Sequence, residues 1–292
     1  MQTYDTPQPI SVSLELGVGD IRITASDRTD TVVEVRPTDP TSEADVTAAE
    51  QTRVELADGR LSVKAPKGWR RYTPSGGRES IDVEISLPAG SRLEGEAAVA
   101  ALSITGRLGE LRFKTGVGTI RLDETGPAHV RTGAGDISIE HVAGPAEITT
   151  GSGALEIGGV GGPAVVKNSN GDTWIGEVEG ELRATAANGR IAVDRAHAAV
   201  HAKSGNGDIA IGAVAGGEVV AATGFGKVDV GVVDGVPAWL ELHTNFGNVR
   251  NDLDATDRPE PGEEAVEIRA RTGYGDITIH RAVITEHAAP RS

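Results

Sequence analysis

The chain has 292 residues, with 43 Asp and Glu against 28 Lys and Arg, giving a net charge of −15. That balance favours solubility and argues against uniform affinity for nucleic acid. Aromatic residues are only 3% while Gly occupies 39 positions, which suits small stacked strands better than a ring-rich enzyme core, and the absence of cysteine excludes disulfides, thiol catalysis and Cys-ligated zinc.

In chain order, the N-terminus MQTYDTPQPISVSLELGVGD has neither a basic region nor an apolar core, so it reads as carrying no signal peptide. No apolar run approaches the roughly 20 residues that cross a bilayer. The expectation is a soluble cytoplasmic protein. Strands are predicted at 10–16, 20–24, 31–36, 52–56, 61–65 and 80–87, with a short helix at 42–51 that Ser42 would N-cap. Residues 1–95 read as a β-rich cap that hides the open edge of a strand stack beginning near residue 96. The cap carries a basic loop, KAPKGWRRYTPSGGR at 64–78, with Lys64, Lys67, Arg70, Arg71 and Arg78 beside Trp69 and Tyr72. A loop of this kind on a rigid scaffold suits an anion or a protein partner, and it equally suits a solvated turn.

From residue 96 to 284 one pattern recurs. The second glycine of a Gly-x-Gly corner falls at Gly118, Gly135, Gly153, Gly171, Gly189, Gly207, Gly226, Gly247 and Gly275, spaced by 17, 18, 18, 18, 18, 19, 21 and 28 residues. A weaker copy has Ala100 in the glycine's place, and another, LGVGDIRI, lies at 16–23. Each unit is an alternating strand ending in Thr, Ser or Asn, the glycine corner, and a second short strand with two apolar positions. A fixed period near 18 predicts a parallel β-solenoid, single, elongated and right-handed, with one coil per repeat. Equivalent residues should then stack about 4.8 Å apart. The residue between the glycines runs through Asn170, Asn188 and Asn206 and then Phe225, Phe246 and Tyr274, which predicts an Asn ladder and a ring stack. An acidic insertion, DATDRPEPGEE at 254–264, explains the longest spacing, and residues 285–292 read as a loose tail.

PISVSLELGVGDIRI, TVVEVRP, the S/T-G-x-G-D-I-x-I units and the final TGYGDITI, in this order over most of 10–282, resemble the bacterial putative-adhesin family of β-strand-repeat proteins, a domain of unknown function. The resemblance implies a β-solenoid and, in some members, a link to envelope-stress signalling or the cell surface. It supplies no catalytic residues.

Chemistry-bearing patterns are few. Gly-x-Gly-Asp is similar to calcium β-roll words, but the period is doubled and Arg190 and Lys227 interrupt the Asp column, so a structural charge ladder is the better reading. GVGGPA at 159–164 formally matches a nucleotide-binding word, yet Pro163 and the short repeat leave no helix to hold phosphate. His197 and His201 lie on a corner and a strand, and His129, His201 and His243 point outward. Asp123 and Glu140 are stacked acids with no insertion around them to form a cleft. No cofactor or metal site is expected, and Phe225, Phe246 and Tyr274 read as a stiffening stack before a sugar platform.

The outward positions differ in charge. Before the glycines they include Arg112, Lys114, Arg131, Lys167, Arg183, Lys203, Arg269 and Arg271, and after them mostly Asp and Glu, among them Asp136, Asp172, Asp208 and Asp276. The expectation is a non-enzymatic scaffold whose partner-binding residues are Lys114, Arg131, Lys167, Lys203 and Arg271, with Lys67, Trp69, Arg70 and Arg71 of the loop. Its partner would be a protein or an anionic polymer of unknown identity, with no specific nucleic acid, and the chain would be a monomer or weakly self-associated head to tail. The alternatives are a carbohydrate-active β-helix enzyme, which needs a cleft with converging acids, and a self-assembling filament, which needs an unblocked end coil.

Overall fold

The computed structural model describes residues 1–66, 79–253 and 265–282. The predicted solenoid is present: parallel strands pair in register from coil to coil. The loop at 67–78, with Lys67, Trp69, Arg70 and Arg71, the insertion at 254–264 and the tail from 283 lie outside the described residues. Contacts divide the chain into two compact units, Met1–Glu140 and His141–Ser292.

The first unit holds β1 (Gln2–Asp5), β2 (Ser11–Ser26), β3 (Asp30–Pro37), α1 (Glu43–Gln51), β4 (Arg53–Ala57), β5 (Arg60–Lys64), β6 (Ile81–Pro88), β7 (Arg92–Leu108), β8 (Glu110–Val117), β9 (Ile120–Thr125), β10 (Ala128–Ala134) and the start of β11 (Ile137–Val142). The strands predicted at 10–16 and 20–24 are one strand, because β2 runs straight through its glycine corner and pairs with β7 from Ser11↔Arg92 to Ala25↔Gly106. One sheet layer continues from β10 through β8, β7 and β2 to β5, all parallel, and ends in antiparallel β4. The other runs from β9 through β7 and β2 to β6, then ends in antiparallel β3 and β1. Short antiparallel strands thus finish both layers, as a solenoid end requires. The helix forms where Ser42 caps Asp45 N–H. Asp45 is buried and accepts from the Asp39 and Ser80 backbones, which pins α1 beside β6.

The second unit holds β12 (Ala146–Ser152), β13 (Leu155–Val160), β14 (Ala164–Asn170), β15 (Thr173–Val178), β16 (Leu182–Asn188), β17 (Ile191–Ala196), β18 (Val200–Asn206), β19 (Ile209–Val214), β20 (Glu218–Phe225), β21 (Val228–Val232), β22 (Ala238–Phe246), β23 (Val249–Asn251), β24 (Val266–Tyr274) and β25 (Ile277–Arg281). Inward side chains of β12 to β21 are mostly Ala, Val, Ile and Leu, with Thr150, Asn168, Thr173, Ser204 and Thr223 among them, nearly all below 5% exposed. Coils follow the sequence up to β20 and β21, and there the order changes. β24 pairs with β20 on one side and β22 on the other, and β25 likewise lies between β21 and β23. The last coil of the sequence is inserted before the preceding one.

The exchange changes which side chains meet in the core. Ala184, Ala202, Ala221 and Ala270 form one inward column. β22 carries Leu242 at this place, opposite Ala270. Ile148 and Val166 precede these alanines in the same column, so its side chains shrink along the unit and Leu242 is the first large one after them. At the end of the stack it is covered from one side only.

Candidate interaction surface

The corners determine how rigidly any surface group is held. Each second glycine has positive φ and lies where a Cβ would strike a neighbouring coil. At Gly189 φ is +140° and a Cβ would fall 2.0 Å from the Gly171 carbonyl oxygen. Backbones therefore touch at the corner, which only glycine permits. The residue two places before the middle of the corner clamps the same carbonyl. Ser204 Oγ donates to Gly189 O at 3.1 Å, Thr223 Oγ1 to Gly207 O at 2.8 Å, Thr272 Oγ1 to Gly226 O at 2.9 Å and Thr244 Oγ1 to Gly275 O at 2.9 Å.

The carboxylates after the glycines have a second structural task. Asp172 accepts from Arg190 N–H at 2.8 Å, Asp208 from Lys227 N–H at 2.7 Å and Asp276 from Asn248 N–H at 2.8 Å. Each Asp thus ties its coil to a neighbouring backbone. Asp123, one member of the stacked acid pair, likewise accepts from Gly106 N–H at 2.8 Å.

The predicted ladders are formed. Asn188 Nδ2 donates to Asn170 Oδ1 at 2.9 Å and Asn206 Nδ2 to Asn188 Oδ1 at 2.8 Å. Beyond them the rings stack as Phe225, Tyr274, Phe246, with centroids 4.9 and 4.7 Å apart. Tyr274 lies in the middle because of the coil exchange.

The five cations named from the sequence occupy two places, one in each unit. In the first unit Lys114 and Arg131 are adjacent in register and exposed. Their column continues through Glu96 and Glu15 to Lys64, and Lys64 reaches Glu15 at 3.1 Å while Lys114 lies 4.0 Å from Glu96. This column mixes both signs, which counting along the repeats alone could not reveal, because β2 and β5 precede them. In the second unit one column reads Thr149, Lys167, Thr185, Lys203, Ala222, Arg271, His243. Lys167, Lys203 and Arg271 thus recur at every second coil, about 10 Å apart. Arg271 donates to Glu241 at 2.6 Å, whereas Lys167 and Lys203 have no ion pair among the described residues.

A corner of the second unit also gathers Glu177, Glu179 and His197, with ligand atoms within 4.8 Å of one another. His197 Nε2 is hydrogen-bonded to Glu177 at 2.8 Å and Arg195 reaches the same carboxylate at 3.4 Å. Those contacts, His197 first, hold the Glu177 carboxyl below its ordinary value. The guanidinium supplies in place the positive charge that a cation would bring. In the first unit a cleft of about 520 Å³ lies against α1, lined by Val18, Ala44, Ala48, Pro66 and Ile81 with Glu43 and Glu79. No described helix is long and apolar enough to cross a membrane.

The model of the Toastrack DUF4097 family matches residues 10–280. The chain belongs to this family. Toastrack is a β-solenoid fold, in agreement with the coils described above. Among solved structures, this Toastrack chain is similar to a putative adhesin from Bacteroides fragilis NCTC 9343, with 14% identity over 95% of each chain and a TM-score of 0.39. A putative adhesin from Parabacteroides merdae ATCC 43184 has 12% identity over 95% of this chain and 94% of that one, with a TM-score of 0.42. A protein described as a putative lipid binding protein, from Parabacteroides distasonis ATCC 8503, has 10% identity over 97% and 96%, with a TM-score of 0.35. No curated protein matches.

Proposed function

We propose that the chain is a non-enzymatic interaction scaffold whose cation columns engage an extended acidic polymer. The observation that carries this reading is the second-unit column, where Lys167, Lys203 and Arg271 repeat at every second coil on a backbone locked at each corner. Exposed charges act over about 8–10 Å at physiological salt, so the column is felt locally in spite of the net charge of −15. In the first unit Lys114 and Arg131 add a shorter basic step. Carboxylates after the glycines, such as Asp172 and Asp208, lie on the following strands' side of the corner and turn the same ligand away.

The test uses polyglutamate as the probe. Lys114, Lys167 and Lys203 all project to solvent, so their joint replacement by Glu leaves folding intact. Wild type should bind at low salt and release the probe as salt rises, and the triple variant should bind at least tenfold more weakly. Equal affinity with equal salt dependence would remove the proposal.

A further inference from the structure

We propose that the end coil formed by β22 and β23 is the interface of a two-fold symmetric dimer, with a second copy of this chain as its occupant. This goes beyond the scaffold reading and uses different residues. Among the described residues, β22 pairs only with β24 and β23 only with β25. Among the described residues the other side of the coil is an unpaired edge. Its inward apolar groups are less covered than those of the other coils. Inward Val249 is 47% exposed and inward Leu240 and Leu242 are only half-buried, and Trp239 adds an outward ring 55% exposed. Long apolar edges left open are templates for pairing with another chain, and proteins blunt the edges they keep free with charge, proline or short length. In the first unit the edges are blunted this way: β1 has four residues, and β4 has five, including outward Arg53 and Glu55. β22 has nine residues and no inward charge.

The occupant is indicated by the register. Pro237 O accepts from Val266 N–H at 2.9 Å, and the alternation of a parallel ladder then turns the backbones of Leu240, Leu242 and Thr244 to the free side. Antiparallel pairing with a second β22 must set inward residues opposite inward ones, so the two-fold axis passes through a residue. An axis at Glu241 would face Glu241 with its own copy, which is repulsive. An axis at Leu242 sets Leu242 against Leu242, Leu240 against Thr244, and Glu241 against His243. It also aligns the free backbones of Leu240, Leu242 and Thr244 for hydrogen bonds. The coil is therefore self-complementary about Leu242, and apolar groups covered from one side become covered from both. The result is a closed pair and not a filament, because the first unit offers no matching apolar edge among its described strands.

Sedimentation velocity of the full chain from about 1 to 200 μM tests this. A monomer–dimer equilibrium should appear, with a heaviest species of twice 30.1 kDa. Leu242→Lys places two inward charges against each other and should give monomer. Because that change also touches the chain's own end coil, two exposed charge variants are decisive. His243→Glu sets like charges opposite Glu241 and should weaken the dimer at least tenfold, while His243→Lys, which keeps an opposite charge there and leaves the Glu241–Arg271 pair in place, should retain it. A strict monomer at 200 μM, polymers larger than the dimer, or a dimer indifferent to these charge changes would each overturn the proposal, including the case in which another segment of the same chain covers the edge.

Discussion

Replacing Gly189 by Ala probes the corner on which the whole second unit depends. The residue has φ of +140°, and an added Cβ would meet Gly171 O at 2.0 Å, where real contacts essentially never fall below 3.0 Å. The backbone strain alone is of order 1–3 kcal/mol. The coils must also part by about 1 Å, since both groups in contact are backbone and neither can swing away. That movement strains the bonds from Gly171 N–H to Asn188 O, 2.9 Å, and from Thr173 N–H to Arg190 O, 2.8 Å. Losing two such bonds costs roughly 1–3 kcal/mol more, for a total of roughly 2–6 kcal/mol. The control is Gly216→Ala, where a Cβ meets nothing within 4 Å and φ is ordinary. There the change should be neutral or stabilising by up to about 1 kcal/mol. Urea unfolding followed by circular dichroism compares the two. If the Gly189 variant unfolds within about 1 kcal/mol of the Gly216 variant, the corners do not hold the coils.

Asn168→Thr should change stability by less than about 1 kcal/mol in the same assay, because loss of the partnerless buried Oδ1 offsets loss of the Nδ2 bond to Gly171 O, while a threonine hydroxyl can still reach Gly153 O; a loss well above about 1 kcal/mol would show that the amide is needed for the clamp. A chelator should leave the melting temperature unchanged, because Asp172, Asp208 and Asp276 are occupied by backbone N–H groups; a large fall would restore the calcium reading. Glu177→Gln should flatten the loss of stability on acidification. The folded carboxyl of Glu177 titrates below its ordinary value, chiefly through His197, so its contribution is present above the ordinary Glu range and disappears as pH falls through the lowered value. The pair is exposed, so the effect should stay within about 1 kcal/mol, and melting curves from pH 6 to 3 should show the two proteins converging in acid.

The repeat was legible because every coil must solve the same steric problem. Gly171, Gly189 and Gly207 are forced by backbone contact, so the glycine period maps directly onto the coils. Asn170, Asn188 and Asn206 could be placed in one column for that reason. Coil order at the end was not legible from spacing, since the long connection after β23 lets the chain return to either side. The two last coils do differ in one inward column, where Ala270 continues a run of alanines and Leu242 does not. The cation columns were half legible. Lys167 and Lys203 stand where alternation puts them, but the company of Lys114 depends on Glu96 and Glu15, which belong to strands outside the regular period. Asp after glycine is legible as a charge ladder, but its reach to the next backbone N–H depends on the coil spacing that the fold sets.

The corner chemistry and the proposed binding column are parts of one device. Lys167 directly precedes Asn168, whose Nδ2 donates to Gly153 O at 3.0 Å, and Lys203 directly precedes Ser204, which donates to Gly189 O. Each cation therefore springs from a strand position one residue ahead of a clamp on the preceding coil. Their separation is set by two backbone steps, and lysine flexibility changes only the reach of the ammonium groups around it. Between them Thr185 keeps like charges from meeting at a single step, where they would repel. The acidic side is organised by the opposite logic: Asp172 and Asp208 commit their carboxylates to backbone N–H groups, and Arg190 and Lys227 take the intervening places. One side of the corner thus uses its charges to hold coils together and the other leaves Lys167 and Lys203 unpaired among the described residues. A scaffold that locks its spacing with one set of charges and exposes the other can present a fixed interval to a ligand with little loss of its own stability.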